Sequence, residues 1–159
     1  MQKRTKSRDT PIAEITLRKY EAPTELNKRE AIRKICLSVG LLQPGDSRDI
    51  VVDIFHVLFD SDLAIDCDQI QNLVIKNRKE HNLPLVGVAQ SNIRRQIRRL
   101  RELFFVEKMK NKYRISENDK LLNIFEEKIE KYYMKAVVSR VKDYFKYLEE
   151  NHPQNRVLK

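Results

Sequence analysis

The stretch Ser91–Ser116, SNIRRQIRRLRELFFVEKMKNKYRIS, decides how the rest of the chain is read. Ile93, Ile97 and Leu100 recur at i, i+4 and i+7, so its first half is a helix with one narrow apolar stripe. At about 100° per residue, the face opposite that stripe carries Ser91, Asn92, Arg95, Arg98, Arg99 and Glu102, with Arg94 and Arg101 on its flank. The second half alternates instead. Residues 104–108 and 112–116 predict two short strands joined at Met109-Lys110-Asn111, where Asn suits a tight turn that needs a positive φ.

Charge is concentrated in the same place. From Arg94 to Arg114 there are nine cations against Glu102 and Glu107, a net +7 out of +9 for the whole chain. A helix fits the major groove of a duplex, and Arg matches guanine edges and phosphates in geometry. The hairpin sets Lys108, Lys110, Lys112 and Arg114 beside that helix. A merely solvated face is the plainer reading of such a run. Solvated helix faces mix signs at i and i+4, however, and Glu102 is the one acid among these arginines.

The run IRRQIRRLRELFFVEKMKNKYRIS resembles the recognition helix and wing of winged helix-turn-helix regulators of prokaryotic type. Leu100-Arg101-Glu102-Leu103 matches the turn that ends the recognition helix in many of them. Phe104 stands where that family often has Gly, and Phe disfavours the left-handed conformation that Gly accepts. The resemblance covers about residues 47–116. It implies a mainly α fold with a small β-hairpin, flanked here by an N-terminal helix and a long C-terminal helix. It also implies a sequence-specific double-stranded DNA-binding transcriptional regulator. The DNA-binding residues are then Ser91, Asn92, Arg95, Arg98 and Arg99 in the groove and Arg94 on its flank, with Lys108, Lys110, Lys112 and Arg114 on backbone or minor groove.

Working outward, 159 residues suit one domain with appendages or two small ones. Three glycines and no tryptophan argue against a turn-rich all-β fold. A pI near 9.6 points to a polyanionic partner. A membrane surface is disfavoured, because no basic helix shows exposed bulky apolar residues and no apolar run nears the ~20 residues of a span. The first ten residues are basic but lack the apolar core of a secretory signal. Cys36 and Cys67 are isolated thiols, which suits a reducing compartment and a cytoplasmic, nucleoid-associated location.

Along the chain, three regions separate. Residues 1–26 form a basic arm (Lys3, Arg4, Lys6, Arg8) and a short strand or extended piece over Ile12–Tyr20. Residues 27–116 hold the winged unit and its leading helix. Asn27 with Glu30 caps that leading helix, and Gly40 ends it. Asp46 or Ser47 caps a helix to about Phe59, and Leu63-Ala64-Ile65 supplies the first strand. Asp66 then caps a helix to about His81, with Ile70, Leu73, Val74 and Asn77 inward. From Asp46 to Glu80 eight acids face four bases, a polarity that would orient the molecule on a polyanion, and the same acids serve equally as caps and solvated faces. Residues 117–159 form a long helix capped by Asn118 or Asp119. Thirty residues of helix reach roughly 45 Å, more than the preceding unit covers. Its apolar positions therefore imply a second copy, a homodimer reading a palindrome. The alternative is a helical hairpin broken near residues 134–139.

No chemistry of an enzyme is visible. His56, His81 and His152 are scattered, the cysteines are not paired in a CxxC, and no phosphate loop exists. The Asp60/Asp62 and Asp66/Asp68 pairs read as caps rather than metal ligands. No cofactor is expected, and no constellation marks a small-molecule effector. Two further readings stand behind a regulator. One is a low-specificity architectural or assembly protein of replication, repair or segregation. The other is RNA binding, which ranks lower because the helix lacks an aromatic stacking platform.

Overall fold

The computed structural model of the chain describes residues 9–156. The basic positions Lys3, Arg4, Lys6 and Arg8 lie outside the described residues. Five helices and three short strands follow in the order α1 (Lys28–Ser38), α2 (Ile50–Asp60), β1 (Ile65–Asp66), α3 (Cys67–Glu80), α4 (Gln90–Glu102), β2 (Val106–Met109), β3 (Lys112–Ile115) and α5 (residues 121–151). The strands form one antiparallel sheet in the order β1-β3-β2. Ile65 stands opposite Tyr113, and Val106 opposite Ile115.

The centre of the core is α2. Its sequence IVVDIFHVLFD is apolar almost all round, which is the pattern of a helix enclosed by others. Val52, Ile54, Phe55 and Leu58 have no exposed surface. α1, α3 and α4 pack around it, contributing Ile32 and Cys36, Ile70 and Val74, and Ile93, Ile97 and Leu100. The hairpin closes the far side, with Phe105 5.5 Å from Phe55 between ring centroids. Burying each such side chain contributes about 1.5–3 kcal/mol.

Local signals set the helix ends. The Asn27 side chain accepts from the Glu30 N–H at 2.9 Å. Asp66 and Gln69 form a reciprocal capping box at the start of α3. α1 ends as expected, with Gly40 at φ +79° and the Leu41 N–H donating back to the Cys36 carbonyl. Asn82 does the same for α3 at φ +53°, with the Leu83 N–H donating to the Arg78 carbonyl at 2.8 Å. α2 begins later than its sequence suggests. Asp46 accepts from the Arg48 N–H instead, and Asp49 occupies the cap position.

Three other expectations change. Ile12–Tyr20 forms no strand. It runs as an irregular strap, held where the Arg18 N–H donates to Ser38 O and its guanidinium to Leu37 O and Leu42 O. In α3, Leu73 is 40% exposed while Arg78 is 3% exposed, so a cation takes the inward place. In the hairpin, the positive φ falls on Lys110 (+57°), not on Asn111.

α5 does not break near residues 134–139. It joins Leu121–Ile124, a wider i→i+5 segment Phe125–Met134, and Lys135–Asn151 without interruption. Ile124 and Ile129 are buried against the core, whereas Leu122 is 65% exposed. The last segment, Lys135–Asn151, buries no residue.

Candidate nucleic-acid interface

α4 owes its position to polar ties at its start and an apolar stripe along its length. Gln90 donates to Asp68 and to Gln71, and Gln71 donates to the Val88 carbonyl at 2.9 Å. These contacts fix the start of α4 beside the start of α3. Ile93, Ile97 and Leu100 then fasten the helix to the core, leaving one long side exposed.

That exposed side is not quite the one the wheel suggested. Asn92 is half-buried and donates to the Gly87 carbonyl at 2.8 Å, closing the loop between α3 and α4. Arg99 is half-buried as well. Its guanidinium donates to Leu41 O at 2.6 Å and to Gln96 Oε1 at 2.7 Å. The Gly40–Leu41 turn after α1 lies against Arg99, and the loop before α4 holds Asn92, so both side chains are engaged by protein. The exposed side holds Ser91, Arg94, Arg95, Arg98 and Arg101, with Glu102 at its end. Arg95, Arg98 and Arg101 have no polar partner among the described residues. Arg94 reaches Gln90 Oε1 at 3.4 Å.

The hairpin continues this surface. Arg98, Arg101 and Lys108 line one shallow depression between α4 and β2, together with Glu102 and Glu107. Arg94 and Lys108 line a second, together with Asp66 and Asp68. Lys108 Nζ sits 5.9 Å from the Tyr113 ring centre, a loose cation–π approach that leaves the ammonium exposed. Lys110 and Lys112 are exposed at the tip. Arg114 is different. It is half-buried, and its Nε donates to Glu107 Oε1 at 2.6 Å. Burial raises the Glu107 carboxyl, but the Glu117 N–H and Arg114 outweigh it and hold the group below its ordinary value. Arg114 is thus neutralised within the hairpin.

The candidate cations therefore divide. Arg94, Arg95, Arg98, Lys108, Lys110 and Lys112 share one exposed surface with Ser91, and Arg101 joins them. Asn92, Arg99 and Arg114 hold the scaffold. The 3.6-residue period put Arg99 opposite the apolar stripe, and nothing in the sequence marked the turn after α1 as its neighbour.

Behind this surface lies an ion-pair network the sequence did not announce. Asp53 has no exposed surface and accepts from Arg78 at 2.6 Å and from Arg29 at 3.3 Å. Asp49 accepts from Arg29, Arg33 and Arg78. Arg78 Nε also donates to the Pro84 carbonyl at 2.7 Å. One network thus joins α1, α2, α3 and the loop leading to α4. The signal available in sequence was Asp53 within the otherwise apolar run Ile50–Phe55 of α2.

Both cysteines are free and buried, and burial pushes the Cys36 thiol up to about 12. Among the described residues no group of His, Cys, Asp and Glu is placed to hold a metal. Among them, too, no helix is long and apolar enough to cross a membrane.

No protein-family model matches this chain, and neither a curated protein nor a solved structure does.

Proposed function

We propose that the chain is a winged helix-turn-helix protein that binds double-stranded DNA and regulates transcription. The order α2-β1-α3-α4-β2-β3 and the strand order β1-β3-β2 support the winged reading. The observation that carries the function is the exposed row Arg94, Arg95, Arg98 and Arg101 continuing into Lys108, Lys110 and Lys112. Arg95, Arg98 and Arg101 lack a polar partner among the described residues, and the acids nearby are Glu102, Glu107, Asp66 and Asp68, of which Glu107 is already paired with Arg114. Unpaired guanidinium groups on an exposed helix suit guanine edges and phosphates. The hairpin lysines suit the adjacent backbone. A second copy, joined through α5, would present two such faces to a palindromic site.

The test is duplex binding across a range of salt, with a randomised pool and sequencing of the bound fraction. A palindromic motif, with log affinity falling by about 0.9 per phosphate contact as log salt rises, supports the regulator. The same slope without an enriched motif favours an architectural protein. No binding at low salt overturns the proposal.

A further inference from the structure

The last part of α5, just over half of it, leaves a continuous apolar side uncovered among the described residues. Within Lys135–Asn151, Val138, Val141, Phe145 and Leu148 are 45%, 50%, 63% and 53% exposed. Their spacing of three, four and three residues keeps them on one side of the helix, the seam pattern of paired helices. An isolated surface helix has no use for four large apolar side chains in a row. Exposed singly they are ordinary; in a stripe they mark a contact.

The charges along the same segment say what the contact is. Residues 135–142 hold Lys135, Arg140 and Lys142 and no acid. Residues 143–150 hold Asp143, Glu149 and Glu150 against Lys146. The segment is therefore basic at its start and acidic at its end. Two copies running in the same direction would set like charge beside like charge along the whole length. Two copies running in opposite directions set the basic half against the acidic half.

We infer that residues 135–151 pair with the same segment of a second copy in antiparallel orientation. This deepens the proposed function by naming the partner, the segment and its direction, and it rests on that reading only for its use on DNA. Val138 packs against Leu148 of the partner subunit, and Val141 against Phe145 of the partner subunit. Lys135 approaches Glu149 of the partner subunit. The Tyr144 side chains of the two copies meet at the two-fold axis. Lys142 also meets its own copy there, the one like-charge approach, on stems long enough to splay into water.

Seventeen residues of helix span roughly 25 Å, so this seam is smaller than the roughly 800 Å² per partner of a standard stable interface. The pair is consequently weak in isolation and concentration-dependent. Simultaneous binding of both copies to one duplex would tighten it through effective concentration.

Disulfide trapping without DNA tests the orientation independently of any nucleic-acid activity. Cys36 and Cys67 are buried, so introduced thiols on α5 report on their own neighbours. Full-length chains carrying Val138→Cys and Leu148→Cys are mixed and oxidised mildly. The expected product is the mixed dimer, exceeding each self-linked dimer by about tenfold, the ratio that a ~1.4 kcal/mol preference gives. Val138→Cys linking to itself as readily as to Leu148→Cys would mean a parallel pair and overturn the proposal. A chain that stays monomeric in sedimentation at high concentration, with no cross-link formed, would overturn it too. Either failure leaves the duplex-binding result untouched.

Discussion

Phe104 holds a left-handed backbone, φ +68°, while its ring stands edge-on to Tyr133 at 5.7 Å between centroids. A second edge contact reaches Tyr132 at 6.5 Å. The Phe104 and Phe105 N–H groups close the end of α4 by donating to Arg101 O and Leu100 O. Gly would form this cap without steric cost, and Phe costs on the order of 1–2 kcal/mol there. The aromatic contacts with α5 explain why it is tolerated. The wider turn of Phe125–Met134 lets two consecutive tyrosines reach one ring. Tyr133 in turn ties down the strap, its hydroxyl donating to Glu14 O at 2.9 Å. Phe104→Ala is expected to destabilise the fold by about 2–4 kcal/mol, because it loses the packing and keeps the strain. Phe104→Gly is expected to recover about 1 kcal/mol of that loss. Thermal unfolding ranks the three proteins. Equal stability of the Ala and Gly variants would show that the backbone at residue 104 is unstrained.

Asp53 anchors three helices from a fully buried position. Removing one partner of a buried pair leaves an uncompensated charge, which typically costs 3–5 kcal/mol. Asp53→Ala strands Arg78, which is 3% exposed, with Asp49 as its remaining carboxylate. The expected result is a loss of that size in denaturant unfolding. Asp53→Leu combined with Arg78→Met should regain part of it, since apolar replacement of both partners removes the stranded charge. A double variant no better than Asp53→Ala would mean the network fixes the fold by its geometry and not by charge balance.

The same network predicts behaviour in acid. Burial raises the Asp49 carboxyl, but hydrogen bonds and charge from Arg29 and Arg78 outweigh it, and the net shift is downward. A carboxylate depressed in the folded state stabilises the fold above its unfolded value, and that contribution fades as pH falls through the folded value. The window therefore lies below roughly pH 4, the ordinary range for aspartate. Glu107 is also depressed and adds a contribution of the same sign. Stability should be flat above that window and fall below it. Asp49→Asn should start lower and fall less steeply, as followed by denaturant midpoints at a series of pH values. An unchanged slope in Asp49→Asn would place the acid sensitivity elsewhere.

Periodic apolar residues made most of the fold legible. Ile93, Ile97 and Leu100 placed α4, the run Ile50–Leu58 placed the central helix, and Asp66 placed the start of α3 by its capping pattern. Contacts between distant segments were not legible, because periodicity says which face is apolar and not what lies against the others. Arg99 meets the turn after α1 across 58 residues of chain, and Arg78 meets Asp53 across 25. Phe104 read as a poor helix terminator because its compensation comes from Tyr132 and Tyr133, which a local rule does not see. The candidate interface was legible as a charge run. Its division into exposed and structural arginines required the neighbours.

That division separates three arginine-to-alanine and lysine-to-alanine variants by kind of effect. Arg98 is exposed and lacks a polar partner among the described residues, so Arg98→Ala should leave the unfolding midpoint unchanged and reduce discrimination between bound and unbound sequences, by about 1–3 kcal/mol if it reads a guanine. Lys110 lies at the hairpin tip, so Lys110→Ala should weaken binding to all sequences alike and lower the salt slope by about one. Arg99 donates to the Leu41 carbonyl at 2.6 Å from a half-buried position, so Arg99→Ala removes a charged hydrogen bond worth about 1.5–3 kcal/mol. That variant should lose stability and, at a temperature where it is still folded, keep its sequence preference. Binding titrations on matched and scrambled duplexes, run beside thermal unfolding, separate the three. If Arg99→Ala lost discrimination while retaining its midpoint, Arg99 would belong to the reading surface after all. If Arg98→Ala and Lys110→Ala weakened every duplex equally, α4 would bind backbone without reading bases, and the architectural function would take precedence over the regulator.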